Sequence, residues 1–167
     1  HKGHGKTEMW YVIDADPGAK MYVGFKEKIS VETFSRVAHS EKILDCICQE
    51  PVSSGDAFFI PAGRIHSIGK GILLAEIQQT SDITYRIYDF DRKGDDGKPR
   101  ELHIDDAAEA LDFEDTGQSF KSMYDSNLNH TSLVKSQYFN TWRIKGKNEI
   151  KIELHEFSSF RIYIITN

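Results

Sequence analysis

The strongest constraint on the fold is a succession of short apolar segments between residues 57 and 90, with no helical pattern between them. The segments are AFFIPAG, GILLAEIQQT and ITYRIYDF, and each is bounded by Gly, Asp or Ser. They are rich in the β-branched and aromatic residues that favour strands. Strands that follow one another without intervening helices are typical of sandwiches and barrels rather than of parallel α/β sheets. The sequence therefore predicts a mainly β protein.

The flanking segments add strands and a few short helices. EMWYVIDA and AKMYVGF, separated by the turn signal DPG, predict two antiparallel strands over residues 8–25. From Ser30, a candidate helix cap, apolar residues including Ile47 recur at helical spacing and predict two short helices interrupted near His39. The segment HIDDAAEALDF predicts a further helix with Asp105 or Asp106 at its start.

Composition changes divide the chain into three parts. We predict a first domain over residues 1–113, a polar, aperiodic connector over 114–137, and the first strands of a second β unit over 138–167. The strands expected in this last part are YFNTWRI, EIKIELHEF and FRIYIIT. The chain does not begin with Met and stops on a strand-like run, which favours a fragment of a longer protein.

The charge balance narrows the class of partner. The net charge of -5 over 167 residues, with lysines scattered rather than clustered, gives no basic surface for nucleic acid. No apolar run approaches the ~20 residues of a membrane helix, and the first residues hold no signal-peptide core, so we expect a cytoplasmic protein that does not bind membranes. Cys46 and Cys48 have neither redox nor zinc-knuckle spacing. The sequence does not indicate the oligomeric state.

The segment GDAFFIPAGRIHSIGK has a spacing that suggests a ligand-presenting turn. Gly55, Pro61, Gly63 and His66 are spaced as in the second motif of the cupin superfamily, although Lys70 stands where that motif ends with Asn. The glycines and the proline can form two tight turns that direct the imidazole inward.

Glu8, in GKTEMWY, is the natural companion of His66. A carboxylate at the start of an otherwise apolar strand is costly unless it faces a metal, a partner or water. One Glu and one His suit zinc or a similar divalent ion. We therefore take Glu8 and His66 as candidate metal ligands.

A third segment places Glu76, Asp82 and Arg86 on or beside the predicted strands. Individually, such residues are most often paired surface charges. Together, GKTEMWY, PAGRIHSIGKG and SDITYRIYDFDR occur in an order and at separations that resemble the type I phosphomannose isomerase family, in its shorter bacterial branch. The resemblance covers about residues 5–105 and implies a cupin-type jelly-roll barrel, with YFNTWRI beginning a second barrel.

The resemblance implies a zinc-dependent isomerase of mannose 6-phosphate and fructose 6-phosphate, acting through an enediol. Its zinc would be held by Glu8, by His66 and by the Gln and His of a Q-x-H-P segment that this sequence does not contain. His1 and His4, in the Gly-rich segment HKGHG, are not expected to replace them.

The same resemblance assigns roles to several charged residues. It matches Lys6 to the active-site lysine and Arg86 to the arginine beside the reacting carbons, and both would also bind substrate. It matches Glu76 and Asp82 to acidic residues of the site. Lys6, Glu76 and Asp82 are all candidates for the proton carrier. Lys70, as well as Arg64, is either a phosphate contact or a surface charge.

Two other functions fit parts of the pattern. A sugar-phosphate-binding cupin without turnover would keep the fold, but it would not need Lys6, Glu8, His66 and Arg86 together. An iron dioxygenase would need two histidines and a carboxylate around an open iron, and only one histidine here has cupin spacing.

Overall fold

The computed structural model describes residues 5–116, 120–146, 149–152 and 159–166, and His1, His4 and most of the predicted strand EIKIELHEF lie outside these ranges. The mainly β prediction is confirmed. The strands are β1 (Glu8–Ala15), β2 (Lys20–Phe25), β3 (Ile47–Pro51), β4 (Ala57–Ile60), β5 (His66–Ile68), β6 (Ile72–Gln78), β7 (His130–Lys135) and β8 (Asn140–Ile144). Helices α1 (Val31–Val37) and α2 (Ile104–Ala110) and a 3₁₀ helix (Glu41–Asp45) complete the described elements.

The first six strands form two antiparallel sheets with the orders β4-β1-β6 and β3-β2-β5, and β7 pairs with β8. The strands predicted over residues 8–25 exist, but they do not pair with each other as the DPG turn suggested. The turn between Asp16 and Ala19 instead carries the chain from one sheet to the other. Because β1 is flanked by β4 and β6, both of its edges are already hydrogen-bonded.

The two three-stranded sheets share one hydrophobic core. Alternating residues of β1, among them Trp10 and Val12, meet Met21 and Val23 of β2 and Phe58 of β4 in a single buried cluster. Successive side chains of a strand point to opposite faces, so one face of each sheet is committed to this cluster. The interior face of β1 therefore looks toward the second sheet.

The helices pack at one side of the second sheet, in a cluster that contains Phe34, Ile43, Ile104 and Phe25. The Ser30 cap is confirmed, because its hydroxyl accepts a hydrogen bond from the Thr33 amide at 3.2 Å. Asp105 and Asp106 lie in the first turn of α2, as predicted. Helix α2 begins after His103, whose side chain makes no capping hydrogen bond.

Other sequence predictions need correction. The segment ITYRIYDF forms no strand, and Phe90 and the following Asp91 have positive φ angles of 52° and 54°, which an extended strand does not accommodate. Ile47 begins β3 instead of continuing a helix. Strand β7 lies within the predicted connector, and β8 falls in YFNTWRI as expected. Residues 149–152 and 160–166 carry no strand.

The closed jelly-roll barrel and the three-part domain division remain predictions. Over the described ranges, no helix is both long enough and apolar enough to cross a membrane.

Candidate active site

Glu8 and His66 meet between the two sheets. Glu8 begins β1, where it lies between Ile60 of β4 and Gln78 of β6, and its side chain is fully buried. His66 begins β5, opposite Val23 of β2. Glu8 Oε1 lies 2.6 Å from His66 Nε2. The two candidate ligands therefore come from different sheets, and the packing of the sheets brings them together.

Two tight turns position His66. Gly55 and Gly63 have φ angles of 93° and 91°, in the left-handed region that favours glycine. At the second turn the Arg64 amide donates to the Pro61 carbonyl at 3.2 Å. His66 Nδ1 then lies 2.7 Å from the Arg64 carbonyl. The imidazole is thus oriented at one nitrogen by the backbone, and its other nitrogen faces Glu8.

Lys6 joins a second carboxylate to this pair. Its ammonium lies 3.2 Å from Glu8 Oε2 and 3.4 Å from Glu76 Oε1. Glu76 is on β6, directly opposite Trp10 of β1. Lys6, Glu8, Glu76 and His66 therefore form one cluster, in which Glu8 is buried and the other three side chains are 25–34 % exposed. We refer to these four residues as the acidic cluster.

The pKa values of the two carboxyl groups in the acidic cluster are shifted in opposite directions. Burial alone would raise the pKa of Glu8, but the contact and charge of His66, the contact with Glu76 and the charge of Lys6 outweigh it and lower the pKa to about 2. Burial, followed by the contact with Glu8 and its negative charge, raises the pKa of Glu76. Glu8 is therefore the group held as an anion, as a metal ligand must be.

The Glu8 carboxylate is not satisfied by hydrogen bonds. Both of its oxygens are buried, and neither makes a hydrogen bond of acceptable geometry with any residue that the structure describes, despite the short distances to Lys6 and His66. A buried carboxylate without hydrogen bonds is costly unless a cation compensates it. Within the residues that the structure describes, there is no group of three or more His, Cys, Asp or Glu side chains that could hold a metal ion.

The other predicted site residues lie outside the contacts of the acidic cluster. Arg86 follows β6 in the segment 83–90, and its guanidinium donates to the Glu101 carbonyl at 2.9 Å. Asp82 is exposed and, with residues 78–81, lines an open depression of about 590 Å³ beside the end of β6. Lys70 is exposed beyond β5. The carbonyl of the next residue, Gly71, accepts a hydrogen bond from the Asp16 amide, just past the end of β1 that is opposite Glu8.

The Arg64 side chain is held by contacts within the fold. Its guanidinium makes two hydrogen bonds to Asp115, at 2.6 and 2.8 Å, and a third to the Phe59 carbonyl at 2.7 Å. It also lies over the Phe120 ring, 4.4 Å from the centroid. These contacts commit the side chain to packing and leave the proposed phosphate contact without structural support.

Sequence reasoning missed the aromatic neighbour of His66. The Trp10 and His66 rings meet edge to face with centroids 5.2 Å apart, and the buried Trp10 Nε1 has no hydrogen-bond partner among the described residues. The two-residue period of a strand could have identified it, because Glu8 and Trp10 share one face of β1.

Comparison with known proteins gives one consistent relationship. No family model matches the chain. The chain is 41 % identical over 150 residues to mannose-6-phosphate isomerase from Streptococcus mutans serotype c. This alignment covers 87 % of the chain and 47 % of the relative. The chain is also 35 % identical over 151 residues to mannose-6-phosphate isomerase ManA from Bacillus subtilis, in an alignment that covers 88 % of the chain and 48 % of ManA.

The fold agrees with the sequence relationship. The crystal structure of mannose 6-phosphate isomerase from Bacillus subtilis superimposes with a TM-score of 0.71 and 32 % sequence identity, over 83 % of this chain and 44 % of that one. The chain thus spans about half the length of the curated relatives that it matches. These relationships confirm the resemblance found in the three motifs, and the chain belongs to the mannose-6-phosphate isomerase family.

Proposed function

We propose that the protein containing this chain interconverts mannose 6-phosphate and fructose 6-phosphate, and that it uses a zinc ion held in part by Glu8 and His66. The named activity of its relatives supports the reaction. The observation that carries the site is the fully buried Glu8 carboxylate, which lies 2.6 Å from His66 Nε2 and makes no hydrogen bond within the described part of the chain.

The donor set fits a divalent ion. Carboxylate oxygen and imidazole nitrogen are both zinc ligands, and Glu8 is held in the anionic form that metal binding requires. Catalytic zinc sites use about three protein ligands, so Glu8 and His66 account for part of the shell. The remaining ligands would be the Gln and His that the family resemblance places in a segment absent from this sequence. When bound, the ion would supply a positive charge that polarises or orients the sugar oxygens.

The reaction sets the tasks of the other residues. Isomerisation removes the proton from C2 of the open-chain aldose, forms an enediol, and returns a proton to C1, while the proton on O2 is lost and O1 gains one. A base must reach C1 and C2, and a positive group must stabilise the developing oxyanion. We assign the proton transfer to Glu76, because Lys6 holds it beside Glu8. Asp82, by contrast, is exposed in the open depression beside the end of β6.

Two cations complete the proposed site. Lys6, with 25 % of its side chain exposed, would bind a hydroxyl or the phosphate of the substrate. Arg86 would stabilise the enediolate, as its match to the family arginine implies. Both assignments are compatible with the sugar phosphate on which the named relatives act.

The test uses the full-length protein that contains this sequence, incubated with zinc and mannose 6-phosphate in D₂O and followed by proton NMR. Appearance of fructose 6-phosphate would support the isomerase. Shifted sugar-phosphate resonances without conversion would overturn it in favour of a binding protein without turnover.

His66→Ala tests the metal ligand. We expect this variant to lose bound zinc, measured by mass spectrometry of the purified protein, and to lose turnover while its far-ultraviolet circular dichroism is retained. His39→Ala is the matched control, since His39 is exposed between the two short helices. Equal zinc content in His66→Ala and His39→Ala would contradict the assignment.

A further inference from the structure

The backbone of Arg86 is bound on both sides by a single residue. The Arg86 amide donates to His103 Nδ1 at 3.1 Å, and the His103 amide donates to the Arg86 carbonyl at 2.7 Å. Next to this pair, Arg86 Nη1 donates to the Glu101 carbonyl at 2.9 Å. Both polar groups of the Arg86 backbone and part of its guanidinium are therefore fixed by residues 101–103.

His103 can fix Arg86 because it is anchored itself. Its carbonyl accepts the first hydrogen bond of α2, from the Ala107 amide at 2.9 Å. Ile104 and Ala107 of this helix are buried in the cluster that also contains Phe25 and Phe34. A side chain at the start of a packed helix is a better reference point than one in a loop.

The segment that carries Arg86 needs such an anchor. Residues 83–90 form no strand, so no sheet ladder satisfies their backbone groups or sets their position. His103 Nδ1 accepts a hydrogen bond, which requires the neutral imidazole with its proton on Nε2. The imidazole therefore replaces, at this one amide, the partner that a neighbouring strand would provide.

We propose that His103 is a positioning residue that holds Arg86 in place for the reaction, an inference that rests on the function proposed above. His103 acts through Arg86 and does not touch the substrate. Misplacement of a reacting group by ~1 Å can cost about 100-fold in rate, so the loss of this anchor should be visible in kcat.

The test compares His103→Asn with His103→Leu in the full-length protein. Asn Oδ1 occupies the place of His Nδ1 and accepts the same hydrogen bond, whereas Leu cannot. We expect His103→Leu to lower kcat by about 10- to 100-fold, with a smaller change in KM, and His103→Asn to retain most of the activity. His103→Gln, whose oxygen lies one bond farther out, replaces Leu in the comparison if His103→Leu does not fold.

A double-mutant cycle separates positioning from a general loss of structure. In an Arg86→Gln background, His103→Leu should cause no further loss of kcat, because the residue on which it acts is already gone. Equal losses in the Asn and Leu variants, or multiplication of the two losses in the double variant, would overturn the proposal. His39→Leu, at an exposed histidine, should leave kcat unchanged.

Amide hydrogen exchange at residue 86 provides a readout that does not depend on activity. The Arg86 amide should be protected in the wild type and in His103→Asn, and it should exchange faster in His103→Leu. An unprotected Arg86 amide in the wild type would overturn the proposal. A protected amide in a wild-type protein without isomerase activity would overturn the proposed function and leave the anchoring of Arg86 established.

Discussion

Gly24 permits a close crossing of two chain segments, and its replacement by alanine should be unusually costly. Its φ is +72°, and a Cβ atom there would lie 2.1 Å from Phe120 Cζ and 2.6 Å from Phe120 Cε2. The left-handed conformation costs about 1–2 kcal/mol for an alanine. Displacing the buried Phe120 ring from the core costs about a further 1.5–3 kcal/mol. We expect Gly24→Ala to lower the free energy of unfolding by about 3–5 kcal/mol.

Gly18→Ala is the matched control. Gly18 has a similar φ of +81°, but a Cβ atom there would meet no atom of the described residues within 4 Å. It should therefore cost only the conformational part, about 1–2 kcal/mol. Urea denaturation of the full-length protein, followed by tryptophan fluorescence and circular dichroism, measures both variants.

Phe120→Ala removes the ring that Gly24→Ala would displace. In the Phe120→Ala background, Gly24→Ala should cost about 1–2 kcal/mol instead of 3–5, so the two substitutions should couple. Equal costs for Gly18→Ala and Gly24→Ala would refute the steric argument. So would additivity of Gly24→Ala and Phe120→Ala to within about 0.5 kcal/mol.

Three further predictions concern polar contacts outside the acidic cluster. The hydrogen bond from Arg100 lowers the pKa of the buried Asp89, against the effect of burial, and Arg92 assists. That stabilisation is present above pH 3.8, the ordinary pKa of Asp, and is lost as pH falls through the lower folded-state pKa. In urea denaturation at decreasing pH, the free energy of unfolding should therefore fall more steeply for the wild type than for Asp89→Asn. Parallel declines in the two proteins would contradict this prediction. Arg64→Lys should destabilise by about 1–3 kcal/mol in a thermal melt, since lysine cannot make the paired contact with Asp115; an unchanged melting temperature would exclude a stabilising pair. Ser30→Ala should cost about 1 kcal/mol and Ser30→Asp much less, and equal losses in urea denaturation would show that the cap contributes little.

The predictable parts of the fold are those with local causes. The strands around Glu8 and Met21 follow from β-branched and aromatic residues at strand spacing, and the helix cap at Ser30 follows from a hydroxyl placed before a short apolar pattern. The turns at Gly55 and Gly63 follow from glycine beside other turn-forming residues. Each of these features depends on residues within one short segment.

The errors have long-range causes. The turn after β1 resembles a hairpin signal, but β1 pairs with β4 and β6 instead. This pairing depends on residues more than forty positions farther along the chain. The segment around Arg86 has the composition of a strand, yet the Arg86 backbone pairs with His103 and its guanidinium donates to the Glu101 carbonyl, and no sheet forms. Periodicity describes which face a residue takes, not which segment will pair with it.

The acidic cluster shows the same division. The spacing around His66 and the cost of burying Glu8 were readable from the sequence, and the structure brings the two side chains to within 2.6 Å of each other. The contact of Lys6 with Glu76 was not readable, because it depends on the register of β1 against β6. That register places Glu76 opposite Trp10 and Gln78 opposite Glu8. The position of Glu76 beside Lys6 is therefore set by the pairing of the whole of β6 with β1.

The charges of the acidic cluster connect the two halves of the proposed function. With both carboxylates ionised, Glu8 and Glu76 carry two negative charges against the single positive charge of Lys6, which contacts both. The buried Glu8 carboxylate makes no hydrogen bond with the described residues, so the nearby Lys6 and His66 are the groups that offset its charge. A divalent cation bound at Glu8 would supply the missing charge and replace Lys6 as the partner of that carboxylate. Lys6 would then keep its contact with Glu76 and have its ammonium available for an anionic sugar phosphate, so the same lysine that partly neutralises Glu8 without metal would bind substrate when the metal is present.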